Sequence, residues 1–237
     1  MMVGPFVNAA AVVVGGVGGA FFGHRIPEAI RTKLTLVFGV CSMVMGIVMM
    51  GKIHMLPPVI LATLLGSIFG EIVKLEAGIQ ILGQKAKFII EKFVKSPEGN
   101  GDDFVDKFVP VLVMVCASGT GIFGAMNEGM TGDSSMLIVK AFLDLFTVAI
   151  FAISLGYTLA TLALPLFIIQ ALLYFAATLI LPLTTPEMIG DFSATGGVIM
   201  LATGFRICGI KPFAVANMLP ALVFIMPITS LWLKAVA

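Results

Sequence analysis

Long apolar stretches separated by short polar ones make up most of this chain. A helix that crosses a bilayer needs about 20 mostly apolar residues, within a range of roughly 17–25. The pattern therefore predicts an all-α, polytopic helical membrane bundle of about eight transmembrane helices, with residues 1–237 as a single transmembrane domain. The predicted spans are residues 4–22, 34–51, 55–73, 107–126, 134–155, 159–183, 192–209 and 212–234. Pro165 predicts a tilt or kink in the sixth of them.

One sizeable polar segment, residues 74–106, interrupts this pattern between the third and fourth spans. Its first part carries apolar residues at helical spacing against several lysines, which is typical of a basic amphipathic helix lying on the inner leaflet. A short cytoplasmic extension of the third span explains the same pattern. Both interpretations place the segment in the cytoplasm.

Composition supports a membrane environment. Apolar residues make up 59% of the chain and charged residues 11%, against roughly 45–50% and about 25% in soluble domains. A lipid-facing exterior explains how so few charges suffice, so we expect the lipid bilayer as a partner. The net charge of +1 offers nothing to nucleic acid. Neither metal-ligand spacing nor a catalytic motif is present, so we expect no metal, no cofactor and no enzymatic activity.

The basic residues indicate the orientation, because cytoplasmic loops carry an excess of Lys and Arg. With the N-terminus outside, the outer side holds Lys52 and Lys234, and Lys140 lies within a span. The inner loops then hold Arg25, Arg31, Lys33, Lys74, Lys85, Lys87, Lys92, Lys95, Lys107, Arg206 and Lys211. This asymmetry predicts a multi-pass protein with both termini outside.

Two ionisable residues, Lys140 and Asp144, fall inside the fifth span. A spacing of four places them on one helical face, where they can pair, with Thr147 beside them. Ionisable groups within a membrane are costly and usually face the bundle interior or a water-filled path. The pair is either a substrate or proton-coupling site, or a mutually neutralising pair that locks helix packing.

The run VCASGTGIFGAMNEGMTGD, residues 115–133, is the most distinctive in the chain. Its Ser118, Gly119, Thr120 and Gly121 fall well inside the hydrocarbon, and each glycine weakens a helix by about 1 kcal/mol. One interpretation is a broken helix whose exposed backbone binds an ion or solute. The other is a packing surface of small residues.

Further polar residues are candidates for the same pathway. Ser193 and Thr195 lie in SATG, residues 193–196, which predicts a second helix break in the seventh span. Asn8 and Asn217 are buried amides that either ligate a solute or hydrogen-bond between helices.

The two ends of the pathway also have candidates. Asn127, Glu128 and Asp133 follow the broken helix and are predicted at the outer mouth. Arg206 is predicted at the inner mouth, where it reaches the headgroups or clamps a substrate.

The chain contains a faint internal echo. MLPPVILATLLG, residues 55–66, is similar to GIKPFAVANMLP, residues 209–220, and SGTG is similar to SATG. Because the matched spans would run in opposite directions, the echo suggests the inverted-topology repeat of secondary transporters. Chance similarity between apolar segments explains it equally well.

Four motifs carry a resemblance that covers nearly the whole chain: GPFVNAAAVVVGGVGGAFFG, CASGTGIFGAMNEGMTGD, FSATGG and ATGFRICGIKPFAVANMLPAL. They resemble the YqgA-like bacterial inner-membrane proteins, a family of unknown function. The resemblance implies a polytopic protein of the bacterial plasma membrane and supplies no activity.

The residues together predict a secondary transporter, or a channel-like permease, for a small polar solute or ion. Lys140 and Asp144 form its polar centre in this hypothesis, and a homo-oligomer is the expected assembly. The rival hypothesis is a non-transporting membrane partner or sensor subunit with a structural polar core.

Overall fold

The computed structural model describes residues 2–22, 27–81, 108, 111–112, 114–116 and 118–236, and these segments form a helical bundle. The main helices are α1 (Gly4–Phe22), α2 (Glu28–Met50), α3 (Leu56–Ile72), α4 (Leu75–Ile81), α5 (Gly119–Thr131), α6 (Ser135–Leu155), α7 (Ala163–Ile180), α8 (Pro186–Ile207), α9 (Val215–Met218) and α10 (Ala221–Val236). Two short 3₁₀ segments, Gly156–Leu162 and Leu181–Leu183, flank α7. The described residues at 108–116 are helical and precede α5.

The bundle has the exterior of a membrane protein. Four described helical stretches are long and apolar enough to cross a bilayer, and the bent pair α3–α4 makes a fifth candidate. Large apolar side chains project outward along the helices: Leu172, Phe175, Leu179 and Leu183 on and after α7 are each more than half exposed. Hydrocarbon is the solvent that suits such a surface.

The long helical run from α6 to α7 doubles back near Gly156, which has a left-handed backbone (φ 69°). The ring of Phe6, near the start of α1, lies 4.7 Å from that of Phe167, whereas Gly16, near the end of α1, contacts Ala160. The segment after Gly156 therefore runs antiparallel to α1, and the fifth and sixth predicted spans are separate helices.

Glycines allow α1 to lie close against its neighbours. A Cβ on Gly15 or Gly19 would overlap the backbone of Leu145 or Ala149 on α6. Gly18 points the other way, with no atom within 4 Å of such a Cβ. Gly15 and Gly19 thus pack α1 along α6, as small residues do between membrane helices.

Two buried carboxylates cap the starts of distant helices. The Glu128 carboxylate, 1% exposed, accepts hydrogen bonds from Val3 N at 2.7 Å and Gly4 N at 3.1 Å. Asp191, fully buried, accepts from the backbone N–H groups of His54 and Met55 at 2.9 and 2.8 Å. Each carboxylate satisfies N–H groups that a helix start leaves without partners, and its charge complements the helix dipole.

The structure corrects several predicted boundaries. α2 begins at Glu28 and α8 at Pro186, each six residues before the predicted span. Pro165 lies in the first turn of α7, directly after a 3₁₀ segment, so the irregularity precedes the proline. Of the predicted amphipathic segment, α4 is described and bends by 48° from α3; residues 82–106 lie outside the described segments.

The close packing of α1 gives a first prediction. A Cβ on Gly16 would lie 2.6 Å from Ala160 N, so Gly16→Ala must push two backbones apart and is expected to cost about 1–3 kcal/mol of unfolding free energy. Gly18→Ala, the matched control, meets nothing and restores helix propensity by up to about 1 kcal/mol. Thermal unfolding of the two purified variants measures the difference, and equal stabilities would contradict the packing described.

Candidate functional site

The predicted ion pair is present on the buried face of α6. Lys140 is 2% exposed and Asp144 8%. Lys140 Nζ forms an ion pair with the Asp144 carboxylate and donates a second hydrogen bond to the Val115 carbonyl at 3.3 Å. Thr147, one turn further along α6, is half-buried. Asp144 is nine residues into α6, about 14 Å along its axis, a distance close to half of a hydrocarbon layer about 30 Å thick.

The predicted helix break at SGTG is confirmed. Cys116 is helical, Ser118 is extended (φ −70°, ψ 138°), and α5 begins at Gly119. Ser118 caps the new helix, because its Oγ accepts a hydrogen bond from Gly121 N at 3.1 Å. Ten of the thirteen residues of α5 are buried, so the positive end of this helix dipole lies inside the bundle.

Gly121 is the point where the break and the ion pair meet. A Cβ at this position would lie 2.7 Å from Lys140 Cε, 3.0 Å from Ser118 Oγ and 3.4 Å from Gln170 Nε2. The first turn of α5, the cation of α6 and an amide of α7 therefore converge on one small region. A side chain larger than hydrogen at Gly121 would occupy it.

Two amides at this site lack hydrogen-bond partners. Asn8 on α1 and Gln170 on α7 are both fully buried, and within the described segments none of their four side-chain N and O atoms forms a hydrogen bond. The NH2 group of Asn8 faces the Asp144 carboxylate as a donor, but the two groups do not meet strict hydrogen-bond geometry. Leaving a buried polar group unpaired costs about 1–3 kcal/mol, and this cost indicates a role beyond packing.

We call this cluster the polar site: Asn8, Ser118, Gly121, Lys140, Asp144 and Gln170, with the buried Thr120 and Cys116 adjacent in sequence. It offers a lysine ammonium, the N-terminus of a helix, two free amides and a carboxylate. These groups can bind a small polar or charged solute and can accept or release a proton. No cluster of His, Cys, Asp and Glu suited to a metal ion occurs among the described residues.

The predicted second break is wrong. α8 is continuous through residues 193–196. Ser193 Oγ donates to Asn127 Oδ1 at 3.3 Å, and Thr195 Oγ1 donates to the Asp191 carbonyl at 2.9 Å. Both hydroxyls thus have partners within the protein and lie apart from the polar site. The helical irregularity of the C-terminal region falls instead between residues 208 and 220, around α9.

The predicted outer-mouth residues divide into two environments. Asn127 is fully buried, and Glu128 is the helix cap described above, so neither lines an open mouth. Asp133 is at the surface, 3.7 Å from Lys52. Hydrogen bonds from Ser135, and to a lesser degree the charge of Lys52, hold the pKa of Asp133 below its usual value.

A second polar cluster lies at the end of the bundle opposite to Asp133. It includes Arg206 and Asn217, which were predicted for the pathway. Arg206 forms an ion pair with Glu76 at 2.7 Å. Asn217 donates to the Glu71 carboxylate and accepts from Glu76 N at 2.7 Å. Asn217 therefore joins α9 to the α3–α4 bend and is not part of the polar site. Lys74, at that bend, has a left-handed backbone (φ 52°).

The echo between residues 55–66 and 209–220 does not extend to conformation. The first segment is helical from Leu56, whereas residues 211–214 are irregular and only Val215–Met218 form a helical turn. The helix that contains the first segment packs against the second, because Gly70 on α3 contacts the Asn217 backbone. The inverted repeat therefore gains no support from local structure.

Sequence reasoning missed Gln170 and Asp191. Gln170 interrupts an otherwise apolar stretch, LPLFIIQALLYFAA, and a polar residue inside a membrane span is the signal that would have identified it. Asp191 falls between two predicted spans, and nothing in its neighbourhood indicates that it reaches His54.

Comparison with known proteins assigns relatives to the chain. A family model described as "Protein of unknown function (DUF554)" matches residues 3–230. The chain is 53% identical over 232 residues to the "Uncharacterized protein YqgA" of Escherichia coli strain K12, with 98% of each chain covered. It is 26% identical over 226 residues to the "Uncharacterized membrane protein YdfK" of Bacillus subtilis strain 168, with 93% of each covered. No solved structure matches.

Proposed function

We propose that this chain, which belongs to the DUF554 family, is a secondary transporter or channel-like permease for a small polar solute or ion. The family assignment confirms the resemblance drawn from the motifs, and a membrane location agrees with the name of the Bacillus subtilis relative and with the apolar helices. Neither supplies an activity. The proposal therefore depends on the polar site.

The observation that carries the proposal is the pair of unpartnered amides beside a buried ion pair. A purely structural polar core is expected to satisfy its own hydrogen bonds, because each unsatisfied group lowers stability. Asn8 and Gln170 remain unsatisfied at the depth where solutes bind in transporters built on broken helices. A solute entering beside Gly121 would find these amides, Lys140 and the start of α5 within reach.

The rival hypothesis, a non-transporting membrane subunit, has one observation in its favour. Lys140 already has two partners inside the protein, the Asp144 carboxylate and the Val115 carbonyl. A pair of this kind can serve packing alone. The two hypotheses differ in whether water reaches the polar site, because a transport path must be hydrated in part of its cycle and a packed core is not.

Thiol labelling tests this difference. In a background with Cys41, Cys116 and Cys208 replaced by Ala, Ser118→Cys and Thr120→Cys are expected to react with a charged, water-soluble thiol reagent in membranes. Ala125→Cys, at a fully buried position of the same helix, is the matched control and is expected to stay unlabelled. Unreactive cysteines at both 118 and 120 in well-folded protein would favour the rival hypothesis.

The proposed topology, about eight crossings with both termini periplasmic, needs its own test. The Lys and Arg distribution places Glu98 in the cytoplasm and the C-terminus outside. Fusions of reporters that are active on one side only, at Glu98 and at the C-terminus, are expected to report opposite sides. The same side for both would mean an error in the predicted number of spans.

A homo-oligomer and the absence of enzymatic activity remain part of the proposal. Cross-linking in native membranes tests the first of these. The second is a prediction from the sequence, which carries no recognised catalytic motif.

A further inference from the structure

We propose that the polar site binds a small monovalent anion, a carboxylate or an oxyanion such as nitrate, together with one proton that Asp144 takes up. This inference rests on the proposed transport function and names the substrate class of the same site. Binding converts the Asp144 carboxylate to the neutral acid, the ion pair with Lys140 opens, and the anion replaces the carboxylate as the partner of the ammonium.

The expected charge of the ligand follows from which groups of the polar site already have partners in the protein. Lys140 engages both the Asp144 carboxylate and the Val115 carbonyl. What remains for a ligand is mainly donors. Gly121 N and Ile122 N are bonded to Ser118, so the start of α5 offers the N–H groups of Gly119 and Thr120, and the amide of Gln170 is directed at Gly121. A helix N-terminus with a nearby ammonium is an arrangement that favours anions.

The proton follows from the net charge. The empty site holds one positive and one negative charge at mid-membrane depth. An anion alone would leave it with a net negative charge in a medium where charges are expensive. An anion with one proton leaves it neutral, as it was when empty, so the empty and loaded protein can both change conformation at similar electrostatic cost.

Asn8 gives the proton a partner. A neutral carboxylic acid is a hydrogen-bond donor and needs an acceptor when buried. The amide of Asn8 lies against Asp144 with its NH2 group toward the carboxylate, and rotation of that amide brings its oxygen into position to accept from the protonated acid. The groups that face Asp144 in the described segments are Lys140 on its own helix, Asn8 on α1 and the Cys116 thiol before the break, and the Val115 carbonyl binds Lys140.

The test measures how salts affect the thermal unfolding of the purified full-length protein. Sodium nitrate and sodium L-lactate are compared with sodium sulfate at matched ionic strength and with the zwitterion glycine at matched concentration, at pH 5.5 and pH 8. We expect nitrate or lactate to raise the unfolding midpoint of the wild-type protein at pH 5.5, with an apparent affinity that weakens by up to about tenfold per pH unit as pH rises. In weakly buffered solution, the protein should take up one proton for each anion that it binds from the same salts.

Two variants provide the controls. Asp144→Asn mimics the protonated acid and leaves Lys140 without a carboxylate, so nitrate or lactate should stabilise it at pH 8 as well. Lys140→Met/Asp144→Asn keeps a neutral polar site without an ammonium and should respond at neither pH. The wild-type measurement does not depend on either variant being well folded.

Several outcomes would overturn the proposal: no response of the wild-type protein to nitrate or lactate at pH 5.5, an equal response at both pH values, a response to glycine without proton uptake, or an equal response in the double variant. If the salts have no effect but the cysteines at 118 and 120 react with the thiol reagent, the anion proposal is wrong and the transport proposal remains. If the salts have no effect and these cysteines do not react, both proposals are wrong.

Discussion

Asp144→Asn is expected to lower the unfolding free energy of this protein by about 3–5 kcal/mol, which is the range for removing one partner of a buried ion pair. The reason lies in the surroundings of Lys140. Its ammonium is almost fully buried and has the Val115 carbonyl as its other hydrogen-bond acceptor. Without the carboxylate, an uncompensated charge stays in a region that water cannot screen.

The double variant Asp144→Asn/Lys140→Met separates structure from function. It removes both charges and keeps similar volumes, so most of the lost stability should return. If the ion pair is required for transport, the double variant should regain stability but show neither transport nor the anion response. If stability and function both return, the ion pair serves helix packing alone. The measurements are thermal unfolding and flux or salt response of the same preparations.

The pair and the break were both readable from the sequence, for local reasons. The spacing between Lys140 and Asp144 places two ionisable side chains on one face of a helix whose other positions are mostly apolar, so both are expected to face the bundle interior. The break at Ser118 has a local cause as well. Its hydroxyl caps the helix that follows, and Gly119 and Gly121 in the first turn of that helix lower the helix propensity across the break.

SATG shows where local reasoning fails. Its residues resemble SGTG, yet α8 passes through them without interruption. Here Ser193 donates to Asn127 on another helix, and the ring of Phe123 occupies the space beside Gly196. The glycine in this motif accommodates an aromatic neighbour, and the hydroxyl has a tertiary partner. A four-letter pattern cannot distinguish those partners from a helix cap.

The carboxylates Glu128 and Asp191 make the same point over longer distances. Each binds backbone N–H groups more than 120 residues away in sequence. From the local sequence, a lone acidic residue at the end of an apolar span is expected to face water. The local sequence does not show the distant helix start whose N–H groups the carboxylate binds. That is why Glu128 was predicted at a mouth and found as a buried cap.

The second large effect is expected at Gln170, in the opposite direction for stability. Gln170→Met keeps the length and approximate volume of the side chain and removes an amide that has no partner. We expect the unfolding free energy to rise by about 1–3 kcal/mol, the cost of an unsatisfied buried polar group. The anion response should weaken by about tenfold or more, because a hydrogen bond to a charged ligand contributes roughly 1.5–3 kcal/mol.

Leu166→Met is the matched control, one turn earlier on α7 and equally buried. Its substitution keeps an apolar side chain, so it should cost less than about 1.5 kcal/mol and leave the anion response intact. A destabilised Gln170→Met would mean that the amide has a partner in the resting protein, and would remove the observation on which the proposed function depends. A stabilised variant with an unchanged anion response would instead place Gln170 outside the binding site. If Gln170 is left unsatisfied in order to bind a ligand, Gln170→Met should be more stable than the wild-type protein and should lose the anion response.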